Sequence, residues 1–203
     1  NAQTIEMLRA HQADYAIVVA YGKILPQALI DLFPQGVLNI HYSLLPKYRG
    51  ASPVESALLH GETVTGVAIQ RMVFALDAGD IIAMREVAIE PDETTRELRP
   101  RLVALGAELL ADTLPAYLAG TITPQLQDHT LATTCGKIRK EAGELTLAGP
   151  SEHNWNTYRA FAESPGTYFF AEKDSKRIRV KIKTSTLTDN RFLALPIVPE
   201  GKS

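Results

Sequence analysis

Asn39 and His41 lie two residues apart in the stretch Leu38-Asn39-Ile40-His41-Tyr42-Ser43-Leu44-Leu45-Pro46. On a β-strand both side chains stand on one face. The strand then runs straight into the loop Ser43 to Pro46, and open α/β sheets place their ligand crevice at such strand ends. One supersecondary unit later comes the turn Asp77-Ala78-Gly79, whose carboxylate could meet His41 across the crevice. An Asn, a His and an Asp together can orient a carbonyl, stabilise an oxyanion and manage a proton. By themselves these residues leave a plainer reading open. A strand histidine often serves as a hydrogen-bonded structural residue, and an asparagine beside it often ties down a loop.

The elements that must position these groups follow from periodicity. Residues 4–12 have the pattern of a short amphipathic helix. Residues 15–20 form an apolar run of strand length, as expected of a parallel strand buried on both faces. A loop over 21–25 leads to Pro26, which suits the first turn of a helix ending near Phe33. Gly36 resets the chain, and residues 37–42 form the next strand. This αβαβ opening is half of a doubly wound sheet, so further strands are expected before Asn1. The chain ends at Gly201-Lys202-Ser203 without a stopping element, and the expectation is a fragment at both ends.

Ser52-Pro53-Val54-Glu55 predicts a capping box opening a helix that Gly61 closes. Residues 63–73 and 81–89 read as an antiparallel pair. Thr94-x-x-Glu97 caps a long helix with Leu98, Leu102, Leu105, Leu109 and Leu110 as its buried stripe. Pro100 should kink that helix or delay its start, and Gly120 ends it. Residues 127–147 are expected to be a linker between a domain at 1–126 and a small β-rich domain at 148–203. In the latter, a helix over 151–162 carries Trp155 and Phe161 as core residues. Strands follow at 167–171, 176–183 and 191–198, with a turn at 172–175.

Charge separates the same two parts. Residues 1–126 hold nine Lys and Arg against fourteen Asp and Glu, whereas 127–203 hold twelve against nine. Different partners are expected for the two. Within 176–183, Arg177, Arg179, Lys181 and Lys183 share one strand face and Ile178, Val180 and Ile182 the other. The plain reading is a solvated charged face; the alternative is a surface for nucleic-acid phosphates. Lys47 and Arg49 read first as surface charges, and His11, His60, His129 and His153 as surface or capping residues. Cys135 is the only cysteine, so no internal disulfide can form, which favours a reducing compartment. No metal-ligand spacing, membrane-length apolar run or signal peptide is apparent.

The segment L-N-I-H-x-S-L-L-P-x-Y-R-G, followed by L-D-A-G-D-I, closely resembles the folate-dependent formyltransferases. Residues 18–26, the Lys137-Ile138-Arg139-Lys140-Glu141-x-Gly143 segment, and Arg159-Ala160-Phe161 with Pro165-Gly166-Thr167 resemble the members that act on methionyl-tRNA. The resemblance covers essentially the whole chain. It implies a C-terminal part of a doubly wound, Rossmann-like formyltransferase sheet followed by a small OB-like β-barrel. It also implies 10-formyltetrahydrofolate as formyl donor and the α-amino group of initiator methionyl-tRNA as acceptor. The implied setting is a cytoplasmic monomer with no metal and no membrane association. Asn39, His41 and Asp77 match the family's catalytic trio. Ser43, Leu44, Leu45 and Pro46, with Tyr21, Gly22, Ile24 and Leu25, match its folate-binding segments. The basic strand, with Arg49, is implied to hold the tRNA. An amino-sugar acceptor and a non-catalytic RNA-binding role remain as alternatives. Tyr42, Val73, Ala75 and Ser164 depart from the usual pattern; a regular strand would turn Tyr42 away from the Asn39/His41 face.

Overall fold

The apolar run after residue 15 and the stretch carrying Asn39 become neighbouring parallel strands in the computed structural model, which describes residues 2–195 and 197–199. Helix α1 (Ala2–Ala10) precedes β1 (Ala16–Val19), and the short helix α2 (Gln27–Ile30) precedes β2 (Val37–His41). Pro26 stands at the N-cap of α2 rather than inside its first turn. Ala16 and Val18 pack with Leu25, Ile30, Phe33 and Val37. The alternate residues Ile17 and Val19 are 40% and 47% exposed, so β1 is not buried on both faces as expected. An apolar run sets no inside or outside; the neighbours of each face decide it.

The two-residue strand β3 (Arg49–Gly50) and helix α3 (Pro53–Leu59) come next, then β4 (Val64–Arg71) and β5 (Ile81–Ala88). Pro53 does open α3, but the expected capping box does not form. The Ser52 hydroxyl donates to the carbonyl of Gly136, and the Glu55 carboxylate accepts from Arg99. The sheet order is β1-β2-β4-β5. Strand β4 runs antiparallel to both β2 and β5, so the doubly wound character resides in the β1/β2 pair alone among the described strands.

Helix α4 (Thr95–Leu118) is continuous through Pro100 and Pro115. Pro100 therefore neither delays nor divides it. It forfeits one hydrogen bond near the start, and the first turn is held by Thr94, whose N–H and hydroxyl both donate to Glu97. The carboxyl of Glu97 is held below its usual range, first by the Thr94 N–H and then by the hydroxyl. At the other end Gly120, at φ +70°, closes a Schellman motif: Gly120 N–H bonds Tyr117 O and Thr121 N–H bonds Ala116 O. Mid-helix, Gly106 permits close packing on β2. A Cβ there would stand 2.8 Å from Ile40 Cγ2 and 3.6 Å from the Tyr42 ring. Ile40 and Tyr42 thus face the helix, and Tyr42 points away from the Asn39/His41 face as expected.

Strand β6 (Thr134–Cys135) pairs in parallel with β3, and a 3-10 turn covers His129–Leu131. Residues 127–136, expected as linker, therefore belong to the first of two compact units: residues 1–53, 64–88 and 100–136. The second comprises residues 54–63, 89–99 and 137–203. It contains a 3-10 turn at Lys140–Gly143, helix α5 (Ser151–Phe161), and strands β7 (Thr167–Lys173), β8 (Lys176–Ile182), β9 (Ser185–Thr188), β10 (Arg191–Ala194) and β11 (Ile197–Pro199). Trp155 and Phe161 are buried as expected. Among the described residues, five strands stand where three were expected. They form a three-stranded sheet, β11-β8-β7, and a separate β9/β10 ladder. Both hairpins turn on two residues in the left-handed region, Asp174-Ser175 and Asp189-Asn190, as type I′ geometry requires. The second of these turns has no clear sequence signal because Thr188-Asp189-Asn190 lacks the glycine that usually marks it. Pro196, within the strand expected over 191–198, lies outside the described residues, as do the residues of the Gly201-Lys202-Ser203 end.

Candidate active site

Strand β2 delivers Asn39 and His41 to one face, and the loop after β4 folds back to bring Asp77 over it. Asn39 stands directly across from Gln70 in the β2/β4 register, so these two carboxamides share that face. Asn39, His41 and Gln70 are all buried. The His41 ring has a partner at each nitrogen. Nε2 donates to the carbonyl of Tyr48 at 2.9 Å, because a carbonyl can only accept. Nδ1 faces Asp77 Oδ2 at 3.8 Å, beyond hydrogen-bond range.

Asp77 sits at φ +44°, and both of its carboxylate oxygens accept. The N–H of Gly50 donates to Oδ2 at 2.8 Å and Gln70 Nε2 donates to Oδ1 at 2.8 Å. Gln70 Oε1 in turn accepts the N–H of Gly79 at 3.3 Å. The backbone of the turn is held by Gln127, whose Nε2 donates to the carbonyls of Asp77 and Gly79. Among the described residues no hydrogen bond engages the Asn39 carboxamide. It is the uncommitted donor on a face where every neighbour is committed.

The structure brings the predicted trio together, but it redistributes other predicted residues. Arg49 is buried at 9% exposure and is not the surface cation expected. Its Nε and Nη2 donate to Gln127 Oε1, and Nη2 also donates to His129 Nδ1 at 2.9 Å. A guanidinium spent on those acceptors is not displayed for a passing phosphate. Ser43 is fully buried, with its hydroxyl donating to the carbonyl of Lys47 at 2.6 Å, and Leu45 is buried in the core. Leu44 is half-buried, within contact range of the Gly66 position, and Pro46 is half-buried. Leu25 is buried in the α2 cluster, whereas Tyr21, Gly22 and Ile24 are exposed. Because β1 and β2 are parallel, the 21–25 and 43–46 loops both leave the sheet at its C-terminal edge. Gln70, Gln127, the Tyr48 carbonyl and the Gly50 N–H went unrecognised in the sequence. Among the described residues no group of three or more His, Cys, Asp or Glu is placed to hold a metal, and no helix is long and apolar enough to cross a membrane.

In the second unit the basic face of β8 is partly covered by its own neighbours. The Arg177 guanidinium lies 3.8 Å over the Phe170 ring and that of Arg179 lies 3.6 Å over Tyr168. Lys181 and Lys183 are exposed, the latter one residue beyond the strand. Arg159, expected as part of a motif, is buried on α5. Desolvation lowers its pKa, opposed by the charges of Asp92 and Glu93.

Comparison with known proteins bears on this arrangement. A family model described as "Formyl transferase" matches residues 1–114. The methionyl-tRNA formyltransferase of Solibacter usitatus is 43% identical over 164 residues, 81% of this chain and 53% of that protein. The methionyl-tRNA formyltransferase of Methylobacterium nodulans is 40% identical over 193 residues, 94% of this chain and 62% of that protein. The chain thus spans between half and two thirds of the length of these curated relatives. Among solved structures, methionyl-tRNA formyltransferase from Clostridium thermocellum superposes with a TM-score of 0.72 at 18% identity, covering 96% of this chain and 81% of that one. HypX from Aquifex aeolicus in complex with tetrahydrofolic acid gives 0.74 at 18% identity, covering 90% of this chain and 31% of the other. At such identities the likeness is one of fold.

Proposed function

The chain belongs to the formyl transferase family, and from that premise we propose that it moves the formyl group of 10-formyltetrahydrofolate to the α-amino group of initiator methionyl-tRNA. The observation that carries this reading is the free Asn39 carboxamide beside a His41 already faced by a carboxylate. As the amine attacks the formyl carbon, negative charge gathers on the formyl oxygen. Asn39 donates to that oxygen. His41 contributes charge rather than a loose N–H: with Nε2 committed to Tyr48, a proton on Nδ1 makes the ring an imidazolium facing Asp77. Asp77 stands across from that ring and helps pass the amine proton toward the departing N10 through water.

Tyr21, Gly22 and Ile24, exposed beside the 43–46 loop at the strand ends, are read as the wall for the flat pterin. Ser43, Leu45 and Leu25 are buried and are read as supporting the two loops. The first unit is read as the formyl-transfer part. The second is read as the tRNA-holding part, its five strands forming the pieces of the OB-like barrel and Arg177, Arg179, Lys181 and Lys183 its phosphate-facing side. The setting is read as cytoplasmic and the enzyme as a monomer.

The test is formyl transfer by the intact protein with methionyl-tRNA and with an amino-sugar nucleotide as competing acceptors. Methionyl-tRNA is the expected acceptor. Asn39→Ala should lower kcat about 10²–10³-fold, the loss typical of one oxyanion donor, with tRNA binding retained. Preference for the sugar, or release of formate with neither acceptor formylated, would overturn the assignment.

A further inference from the structure

Gln127 belongs to no motif, yet it is the most fully engaged side chain around the Asp77 turn. We propose that the Gln127 carboxamide, anchored by Arg49, is the positioning residue that sets the Asp77 carboxylate opposite His41; the inference rests on the formyl-transfer reading above. A carboxamide has two N–H donors and an oxygen with two lone pairs. Gln127 uses all four. Its Nε2 donates to Asp77 O at 2.9 Å and to Gly79 O at 2.6 Å, and its Oε1 accepts from Arg49 Nε at 3.1 Å and Arg49 Nη2 at 2.6 Å.

The turn it holds needs holding. Asp77 lies in the left-handed region, where a side chain persists only if its surroundings over-determine it. On the other side the turn is pressed onto the end of β4, where a Cβ on Gly79 would overlap the carbonyl of Arg71. The contacts also close a ring. Arg49 fixes Gln127, Gln127 fixes the Asp77 backbone, and the residue after Arg49 donates its N–H to the Asp77 carboxylate. Backbone and carboxylate of Asp77 are therefore referred to the same strand, β3. A shift of Gln127 moves the carboxylate relative to His41 without touching either reactant.

Gln127→Glu keeps the shape but sets an oxygen against two carbonyls; Gln127→Met keeps the length and removes the polarity. In the intact enzyme each variant should lose about 10²-fold in kcat, the cost of a small misplacement. KM for donor and acceptor should stay within about threefold, because binding is not the affected term. On an Asp77→Asn background Gln127→Glu should cost less than about twofold, because the group it positions is already gone. Hydrogen exchange at the Gly50 N–H should rise about tenfold or more in both variants while the β2 amides hold. Full loss repeated on the Asp77→Asn background, or unchanged Gly50 exchange, would make Gln127 merely structural. If the wild-type protein transfers no formyl group, the functional reading falls, and the exchange measurement alone still decides the positioning.

Discussion

The hydrogen bonds that hold Asp77 have a fixed polarity, and exchanging two side chains should reverse it without breaking it. The chain of contacts is bounded by two backbone donors, the N–H of Gly50 and the N–H of Gly79. Between them lie a carboxylate with two acceptors and the Gln70 carboxamide with one donor and one acceptor. Three donors meet three acceptors. Asp77→Asn adds a donor and removes an acceptor, so one N–H must face another whichever way either amide is turned. Gln70→Glu has the opposite defect, leaving two carboxylate oxygens opposed. Gln70 is 1% exposed, so water cannot repair either mismatch cheaply. Each single change should cost about 1–3 kcal/mol, the penalty of a buried unsatisfied polar group. Asparagine tolerates the left-handed region as well as aspartate does, so no backbone strain is added at residue 77.

The double variant Asp77→Asn/Gln70→Glu restores the count. Gly50 N–H then meets the asparagine oxygen, the asparagine N–H meets one glutamate oxygen, and Gly79 N–H meets the other. Its stability should return to within about 1 kcal/mol of wild type, so the two losses should fall short of additive by at least about 1 kcal/mol. Thermal or urea unfolding reads this, at about 2–4 °C per kcal/mol for a chain of this size. Formyl transfer should not return with it. The negative charge has moved from residue 77 to residue 70, off the His41 Nδ1 edge, so turnover should stay down by about 10² or more. Additive stability losses would refute the polarity argument. Recovered turnover would show that the charge at residue 77, as distinct from its hydrogen bonds, is not what His41 needs.

The other predictions concern the second unit. Thr94→Ala removes the hydroxyl that donates to Glu97 at the start of α4 and should cost about 0.5 kcal/mol at neutral pH, the low end for a hydrogen bond because the pair is exposed. Because Glu97 has its pKa lowered by folding, its contribution is present above its ordinary value of 4.5 and is lost as pH falls through the lower folded value. Unfolding midpoints in the variant should therefore fall less steeply on acidification than those of wild type; parallel curves would count against the cap. Reversing charge at Arg179 and Lys181 should weaken tRNA binding and flatten its dependence on salt by about 0.7–0.9 logarithmic units for each phosphate the protein no longer neutralises. An unchanged salt slope would remove this face from the binding surface.

What the residue pattern discloses about the site, and what it hides, divides along a physical line. Period-two alternation is local, so Asn39 and His41 on one face with Ile40 and Tyr42 on the other follow from the strand alone. Cross-strand register is not local. Gln70 joins the site only because β4 runs antiparallel to β2 with residue 70 opposite residue 39, and nothing in either strand's composition states that offset. Backbone groups are invisible in a side-chain pattern, which is why the Tyr48 carbonyl and the Gly50 N–H had no signal. Arg49 misled for an energetic reason. A cation's default place is the surface, and its burial requires acceptors that here arrive from Gln127 and His129, about eighty residues away in a polar segment that itself looks like linker. Ser52-Pro53-Val54-Glu55 and Thr94-x-x-Glu97 make the same point from opposite sides. Both have the spacing of a capping box, but the first spends its hydroxyl and its carboxylate on Gly136 and Arg99, while the second keeps both groups at home. A local motif survives folding only when no distant partner competes for its polar groups. By that criterion Asn39, which carries a polar group and shows no partner, is where an incoming substrate meets the least competition.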